Sequence, residues 1–560
     1  MKRNNEFEDK INSKKIKSNY VNATELKNYV SNDLIVDYLK YSGKYFKNNN
    51  ISYFLMNQGK KFEENVINYI KKKHPVIFVS EFITEKSVSK TIELMNNGTP
   101  IIHSAPIINN NNKTKGIIDI LIRSDYLHLL TNTDFLTKDE IEISSPKLKH
   151  KKFHYLVVDI KFSTTNLCSN GKYILNSGLY SVYKSQILIY TQAIGNIQGY
   201  ISNYGFILGR KCVYSNKNDS YVNNNLGIID YNTYDNKFIE LNKNAIKWIN
   251  NLKLNCDNFK IGISPELYPN MKVDSYGWNE EKKKISSDIG EITTIWNCGV
   301  KNRNNCFKKG ITSWKDHKCN SVSLGINGNR GKVVNAILNI NRQKKKSMRP
   351  NKLKKCSMDT IIKNDVEFYV DFETFTDIFN TDNSNIDYVK DIIFMIGVSY
   401  IKNEILIYKK FICSIISYVE ENRIITEFID FIKKEENPTL YYWSAEEKFW
   451  KKSLQRYNIN IQFNWIDILN IFIKECIVIK NCFDYKLKNI SKAMLEHGLI
   501  NTELESKCID GMTAMINAYN VYSNNEDIDS SVIMNDIIKY NKYDCNVLYD
   551  IMKCLRNKYL

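Results

Sequence analysis

Two stretches about two hundred residues apart place charged side chains at alternate positions inside otherwise apolar runs: Tyr155-Leu-Val-Val-Asp159-Ile-Lys161 and Tyr369-Val-Asp371-Phe-Glu373-Thr374. Successive residues of a strand point to opposite faces, so residues two apart share a face. Asp159 and Lys161 therefore leave one side of their strand, and Asp371 and Glu373 one side of theirs. Apolar, β-branched runs of this length are those of strands buried in an α/β sheet. The expectation is an α/β chain with two α/β domains, each built around one of these strands.

A chain of 560 residues has room for two to four domains, each with its own core. Apolar residues make up 43% and charged residues 25%, the balance of ordinary globular protein. Asn, Ile, Lys and Tyr recur in runs such as Asn109 to Asn112, the mark of codon bias in an AT-rich genome. The net charge of +18 points to a polyanionic partner, of which nucleic acid is the commonest, although Lys-rich codon usage raises charge as well. Thirteen cysteines show no short paired spacing, so free thiols in a reducing compartment (cytoplasm, nucleus or viral factory) are expected, not a secreted disulfide scaffold. Met1-Lys-Arg-Asn-Asn-Glu6 opens a polar tail unlike a signal peptide. No run of eighteen apolar residues occurs, so no membrane span is expected.

The chain reads as four segments. Residues 1–20 form a basic flexible tail. Residues 21–290 carry a first α/β pattern: an amphipathic start (Leu26, Val30, Leu34, Leu39), a helix over Gly59 to Ile70, and strands at Val76–Val79, Ile117–Ile122 and Tyr155–Phe162. A helix over Ser185–Ala193 and a strand at Gly205–Gly209 follow. Residues 291–356 form a connector with Cys298, Cys306, Gly310-Ile-Thr-Ser-Trp314 and Cys319. It ends in a run from Arg342 to Lys355 with eight basic residues and no acidic one. That run reads as a solvated linker or as a phosphate-contact patch centred on Lys344, Lys345, Lys346 and Arg349. Residues 357–560 begin a second α/β pattern, with strands at Glu367–Phe372, Phe394–Tyr400 and Ile405–Tyr408 and helices at Ile424–Lys434 and Met534–Cys554.

In the first pattern, Asp119 sits in a strand neighbouring that of Asp159. Two carboxylates converging across a sheet can hold Mg²⁺ through hard oxygen ligands. Such an ion polarises a phosphate and acidifies bound water, while Lys161 orients that water or stabilises phosphate charge. Glu63, on the preceding helix, could complete the shell. Gln186 and Tyr190, four apart, share a helical face, from which Gln186 could position Lys161 or the scissile strand. In the second pattern, Tyr540 and Asp544 also stand four apart on a helix. With Asp371 and Glu373 they could clamp two metals, Tyr540 holding the attacking water. These residues resemble the exonuclease branch of the RNase H-like fold, and the resemblance implies a middle carboxylate, open between Glu446, in Tyr442-Trp-Ser-Ala-Glu446, and Asp467, in Trp465-Ile-Asp467.

Gly59-x-x-Phe-Glu63, Asp119, Asp159-x-Lys161 and Gln186-x-x-x-Tyr190, in that order, resemble a RecB-type PD-(D/E)XK nuclease. Asp371, Glu373, Gly397, Tyr540 and Asp544 resemble the exonuclease branch of the RNase H-like fold in its Asp-Glu-Asp-Asp-Tyr form. Together they resemble the predicted RecB family nucleases of bacteria and large DNA viruses. The resemblance implies metal ligands at Glu63, Asp119, Asp159, Asp371, Glu373 and Asp544, a catalytic Lys161, and Mg²⁺ or Mn²⁺ as cofactor. Some relatives bind an iron–sulfur cluster through four cysteines; none lies near Tyr29 to Asp33, where the first would fall, so no cluster is expected. The connector faintly resembles a helix-hairpin-helix.

The function expected is metal-dependent hydrolysis of DNA, exonucleolytic, in replication, repair or recombination, on single strands or duplex ends. A scaffold with a degenerate second site and an RNA-processing exonuclease are the alternatives. No Gly-x-x-x-x-Gly-Lys-Ser/Thr string is present, so unwinding would fall to a separate helicase.

Overall fold

The computed structural model describes residues 20–43, 50–148, 152–216, 219–222, 225–364, 366–375, 392–508 and 510–560. The tail expected over 1–20 lies outside the described residues except for Tyr20. The chain forms two compact units, one from residues 1–48, 55–269 and 277–280, the other from 49–54, 270–276 and 281–560.

The first unit is a mixed sheet between helices. Its strands are β1 (Ile77–Phe78), β2 (Ile101–Asn109), β3 (Thr114–Arg123), β4 (Tyr155–Ile160), β5 (Tyr204–Leu208) and β6 (Leu226–Asp230). They lie side by side in that sequential order, with Val21–Asn22 also pairing β3. β2, β3 and β4 are antiparallel, whereas β5 runs parallel to β4. A parallel return needs a crossover, and helix α3 (Tyr180–Gln198) supplies it. α1 (Asn50–Lys71) sets Phe62, Val66, Ile67 and Ile70 against Ile120, Ile122, Leu156 and Val158 in one core, the spacing of an apolar helical stripe. α2 (Glu85–Asn96) and α4 (Lys237–Asn255) complete the unit. All six residues of β4 are buried, so the apolar run around Asp159 marks a central strand. The strand expected at Val76–Val79 shortens to two exposed residues at the sheet edge.

In the second unit, residues expected to form a separate connector are part of the fold. α5 (Val300–Phe307) and α6 (Gly328–Arg342) lead to β7 (Met348–Arg349). Cys298, Cys306, Cys319, Val334 and Leu338 share one core with Trp443, Phe472, Val547 and Ile551. The run from Arg342 to Lys355 is likewise no free linker. Arg342 donates to the carbonyls of Trp314, Asp316 and Cys319, and β7 pairs with a later strand. That apolar core draws the segment in despite its charge.

The main sheet holds β8 (Glu367–Phe375), β9 (Ile392–Lys402), β10 (Ile405–Ile412), β11 (Thr439–Tyr442) and β12 (Asn464–Asp467), in the order β10-β9-β8-β11-β12. β9 is antiparallel to both neighbours, and β8, β11 and β12 are parallel. β13 (Val478–Ile479) pairs with β7. Flanking helices are α7 (Tyr418–Ile432), α8 (Glu446–Arg456), α9 (Ile468–Lys474), α10 (Leu487–Glu496), α11 (Gly511–Ser523) and α12 (Val532–Tyr559). Phe368, Val370 and Phe372 face one core, while Tyr369 faces the other. Asp371 and Glu373 continue the face of Tyr369, toward α12.

Two candidate carboxylate sites

In the first unit, β3 and β4 pair up to Ile120 opposite Val158. One step further the same register brings Asp119 beside Asp159. Asp119 accepts a hydrogen bond from the Ile160 amide at 2.7 Å, which fixes its carboxylate across the strand end. Asp159 is fully buried, and its Oδ1 has no donor among the described residues. Lys161 Nζ lies 2.6 Å from Asp159 Oδ2, as their shared strand face predicts. Glu63 extends from α1 to His103 Nε2 on β2, 3.0 Å away.

Charge explains the electrostatics. Burial pushes the Asp119 carboxyl well above the carboxylate range, and the charges of Asp159 and Glu63 push it further. Burial alone would lower the Lys161 ammonium, but Asp159 and Asp119 outweigh it and hold its pKa above the ordinary lysine value. Lys161 is therefore a cation and not a proton acceptor at neutral pH. Gln186 does not reach Lys161; its amide donates to the Tyr190 hydroxyl at 2.9 Å. The Tyr190 ring packs over Gly116, where a Cβ would come within 2.4 Å of the ring. That contact gives the glycine of Gly116-Ile-Ile-Asp119 a physical reason.

In the second unit, Asp371 and Glu373 on β8 meet α12. Asn541 donates to the Asp371 carboxylate at 2.7 Å and to the Asp371 carbonyl at 3.2 Å, and its own oxygen accepts from Tyr408 at 2.8 Å. Gly397 opposite leaves room for it: a Cβ there would fall 1.6 Å from Asn541 Oδ1. Glu373 is buried with Oε1 lacking a donor among the described residues. Tyr540 hydrogen-bonds to Asp544, one helical turn on.

Glu446 begins α8, is buried, and lies within the field of this group. Burial first, then the charges of Asp544, Glu373 and Glu446, raise Asp371 well above its usual range. Glu446 itself is pushed up to about 8, chiefly by burial, and Asp544 to about 7 by the same cause. Asp467 is engaged otherwise: it caps α9, accepting from the amides of Leu469 at 2.9 Å and Ser444 at 3.1 Å.

Neither group is a finished metal cage: among the described residues no three His, Cys, Asp or Glu side chains are so spaced. The donor sets nevertheless suit a hard cation. Buried carboxylate oxygens without hydrogen-bond donors are costly unless something positive meets them, and each site has one. The described cysteines are free thiols.

Two participants escape a sequence reading. His103 stands within an apolar strand, its only sequence signal being an imidazole amid Ile101-Ile102 and Ala105. Asn541 adjoins Tyr540 in a helix rich in asparagine. Of the basic candidates, Lys344, Lys345 and Lys346 are exposed, and Arg349 donates to Gln343 at 2.8 Å. None of the four is brought to either carboxylate group by a described contact.

Residues 378–556 match the RNase_H_2 family model, of the RNase_H superfamily. The match takes in Glu446, Asp467, Tyr540 and Asp544 and begins just beyond the strand of Asp371 and Glu373. No curated protein matches the chain. No helix among the described residues is long and apolar enough to cross a membrane. With its sheet order and this match, the second unit carries an RNase H-like domain, a nuclease-type fold.

Proposed function

We propose that the protein is a metal-dependent nuclease that hydrolyses phosphodiester bonds of DNA, with an exonuclease site in its RNase H-like domain and a PD-(D/E)XK-type site in its first unit. The observation that carries this reading is the gathering of Asp371, Glu373, Glu446 and Asp544, with Tyr540, in an RNase H-like domain. Four buried carboxyls, each raised chiefly by burial and three of them further by neighbouring carboxylates, destabilise the fold unless they serve a ligand, and perturbed acids gather at functional sites.

Asp371, Glu373, Glu446 and Asp544 would hold divalent ions in the second site, and Asp119, Asp159 and Glu63 one in the first. Mg²⁺ or Mn²⁺ would supply Lewis-acid polarisation of the phosphate there. The Tyr540 hydroxyl, on the turn before Asp544, would hold the attacking water toward the scissile phosphorus. Asn541 keeps Asp371 in place from the other side. Lys161, as a fixed ammonium, would stabilise phosphate charge, and His103 orients Glu63. Glu446 is the middle ligand of this reading, because it is buried and its charge acts on Asp371 and Glu373, whereas Asp467 is half-exposed and caps α9. Replication, repair or recombination is the setting such an activity fits.

The test is purified protein with Mg²⁺ or Mn²⁺ on end-labelled single-stranded and duplex DNA and RNA. Metal-dependent release of nucleotides from DNA ends is expected, and it should vanish in an Asp159→Ala, Asp371→Ala double variant. Preference for RNA would move the substrate class; no cleavage of any substrate would overturn the reading.

A further inference from the structure

The residues between Glu291 and Asp359 hold sixteen lysines and arginines and one acidic residue, Asp316. That surplus of fifteen is nearly the whole net charge of +18; the remainder of the chain is close to balanced. Codon bias would spread lysine along the sequence, so the concentration is a property of this segment. Lys301, Lys308, Lys309, Lys318, Arg330 and Lys332 are all exposed, and none pairs with a carboxylate among the described residues.

The cations stand on a rigid base. Arg342 pins the loop from Trp314 to Cys319 through three backbone carbonyls. An open cavity of about 640 Å³ lies there, bordered by Lys309, His317, Lys318, Asn320 and Arg342. On its inner side the segment is joined to the carboxylate site. Trp296 packs edge-on to Tyr485 at 5.5 Å and Trp314 against Phe483 at 4.8 Å. Trp443 donates to the Tyr485 carbonyl at 3.0 Å and stands three residues before Glu446. Of its large apolar side chains only Val322 is exposed, too little to insert into a lipid surface.

We infer that residues 292–358 are a nucleic-acid-holding module of the second unit, gripping a phosphodiester backbone without reading its sequence. A backbone held on this base is presented to the Asp371 site, which lies in the same unit, a consequence that rests on the function proposed above. Backbone contacts of this kind fix register and carry most non-specific affinity.

The test uses the full chain with Lys308, Lys309 and Lys318 changed together to Gln, and a second variant with Arg330→Gln and Lys332→Gln. Binding to labelled single-stranded and duplex DNA and RNA is measured in EDTA across a salt series, where no cleavage enters. Each lost duplex contact should reduce the slope of log affinity against log salt by about 0.9, with affinity at low salt down on the order of tenfold and the unfolding midpoint unchanged. Unchanged slopes in both variants would overturn the module; so would equally tight, equally lysine-dependent binding to phosphatidylserine vesicles. With Mg²⁺ restored, the Asp371-dependent products should fall more than the Asp159-dependent ones. Equal loss would overturn the assignment to the second site while leaving the binding result standing.

Discussion

Asn541 and Asp371 are joined twice, through the aspartate's carboxylate at 2.7 Å and its carbonyl at 3.2 Å. One amide thus ties α12 to β8 at the point where four carboxylates crowd. Asn541→Leu removes both donors and leaves Tyr408 without its acceptor. The expected cost is about 1–3 kcal/mol, that of unmet buried polar groups, read as a lower unfolding midpoint. The Asp371-dependent products should fall as well, since Asp371 loses its support. Gly397→Ala should act in the same direction by displacing Asn541. A Gly397→Ala protein with unchanged stability and activity would show that the close approach is unimportant.

The first site offers a parallel test. Gly116→Ala drives a methyl into the buried Tyr190 ring, and overpacking of that kind costs about 1–3 kcal/mol. Asp119 lies three residues further along the same strand, so Asp159-dependent cleavage should fall with stability. Tyr190→Phe keeps the ring and frees only Gln186, and should be milder in both measurements. A milder effect of Gly116→Ala than of Tyr190→Phe would contradict this account of the glycine.

Acid should loosen the first unit through His154. Its imidazole is buried at 2% exposure, with Nδ1 unpartnered among the described residues and its ring edge-on to Tyr200. Burial pushes its pKa from 6.5 down to about 4, against a weaker opposing pull from the backbone at Ile143 and from Asp125. Between those values the unfolded chain binds the proton and the native one does not. Stability is therefore full above pH 6.5 and is lost as pH falls through that window, by up to about 3 kcal/mol. His154→Phe should flatten the urea-unfolding midpoint between pH 4 and 6.5. An unchanged slope in that variant would assign the acid sensitivity elsewhere.

Much of the architecture is legible in the sequence because it is local. Tyr155–Ile160 and Glu367–Phe375 are strand-like runs in which acids interrupt apolar residues, and their alternation sets Asp159 beside Lys161 and Asp371 with Glu373 before any fold is known. Tyr540 and Asp544 follow from helical spacing alone. What escapes is long-range. Glu63 and His103 meet across forty residues, and nothing in either neighbourhood announces it. The segment around Arg342 reads as linker because its charge is visible in sequence, whereas the core that recruits it, from Cys298 to Ile551, is assembled only in three dimensions.

The choice between Glu446 and Asp467 is of the same kind, since both lie near the end of a parallel strand and at the start of a helix. Their surroundings separate them. Glu446 is buried, and its charge acts on Asp371 and Glu373. Asp467 is half-exposed and serves as the cap of α9. Glu446→Gln should therefore abolish the Asp371-dependent product ladder, to the level of Asp371→Ala, and should raise the stability of the metal-free protein by relieving repulsion. Asp467→Ala should lower stability by about 0.5–2 kcal/mol, the cost of a lost N-cap, while most of the ladder survives once the protein is assayed well below its unfolding temperature. An Asp159→Ala background keeps the first site silent throughout. Loss of the ladder in Asp467→Ala with retention in Glu446→Gln would reverse the assignment of the middle ligand, and loss in neither would make the second site a binding platform.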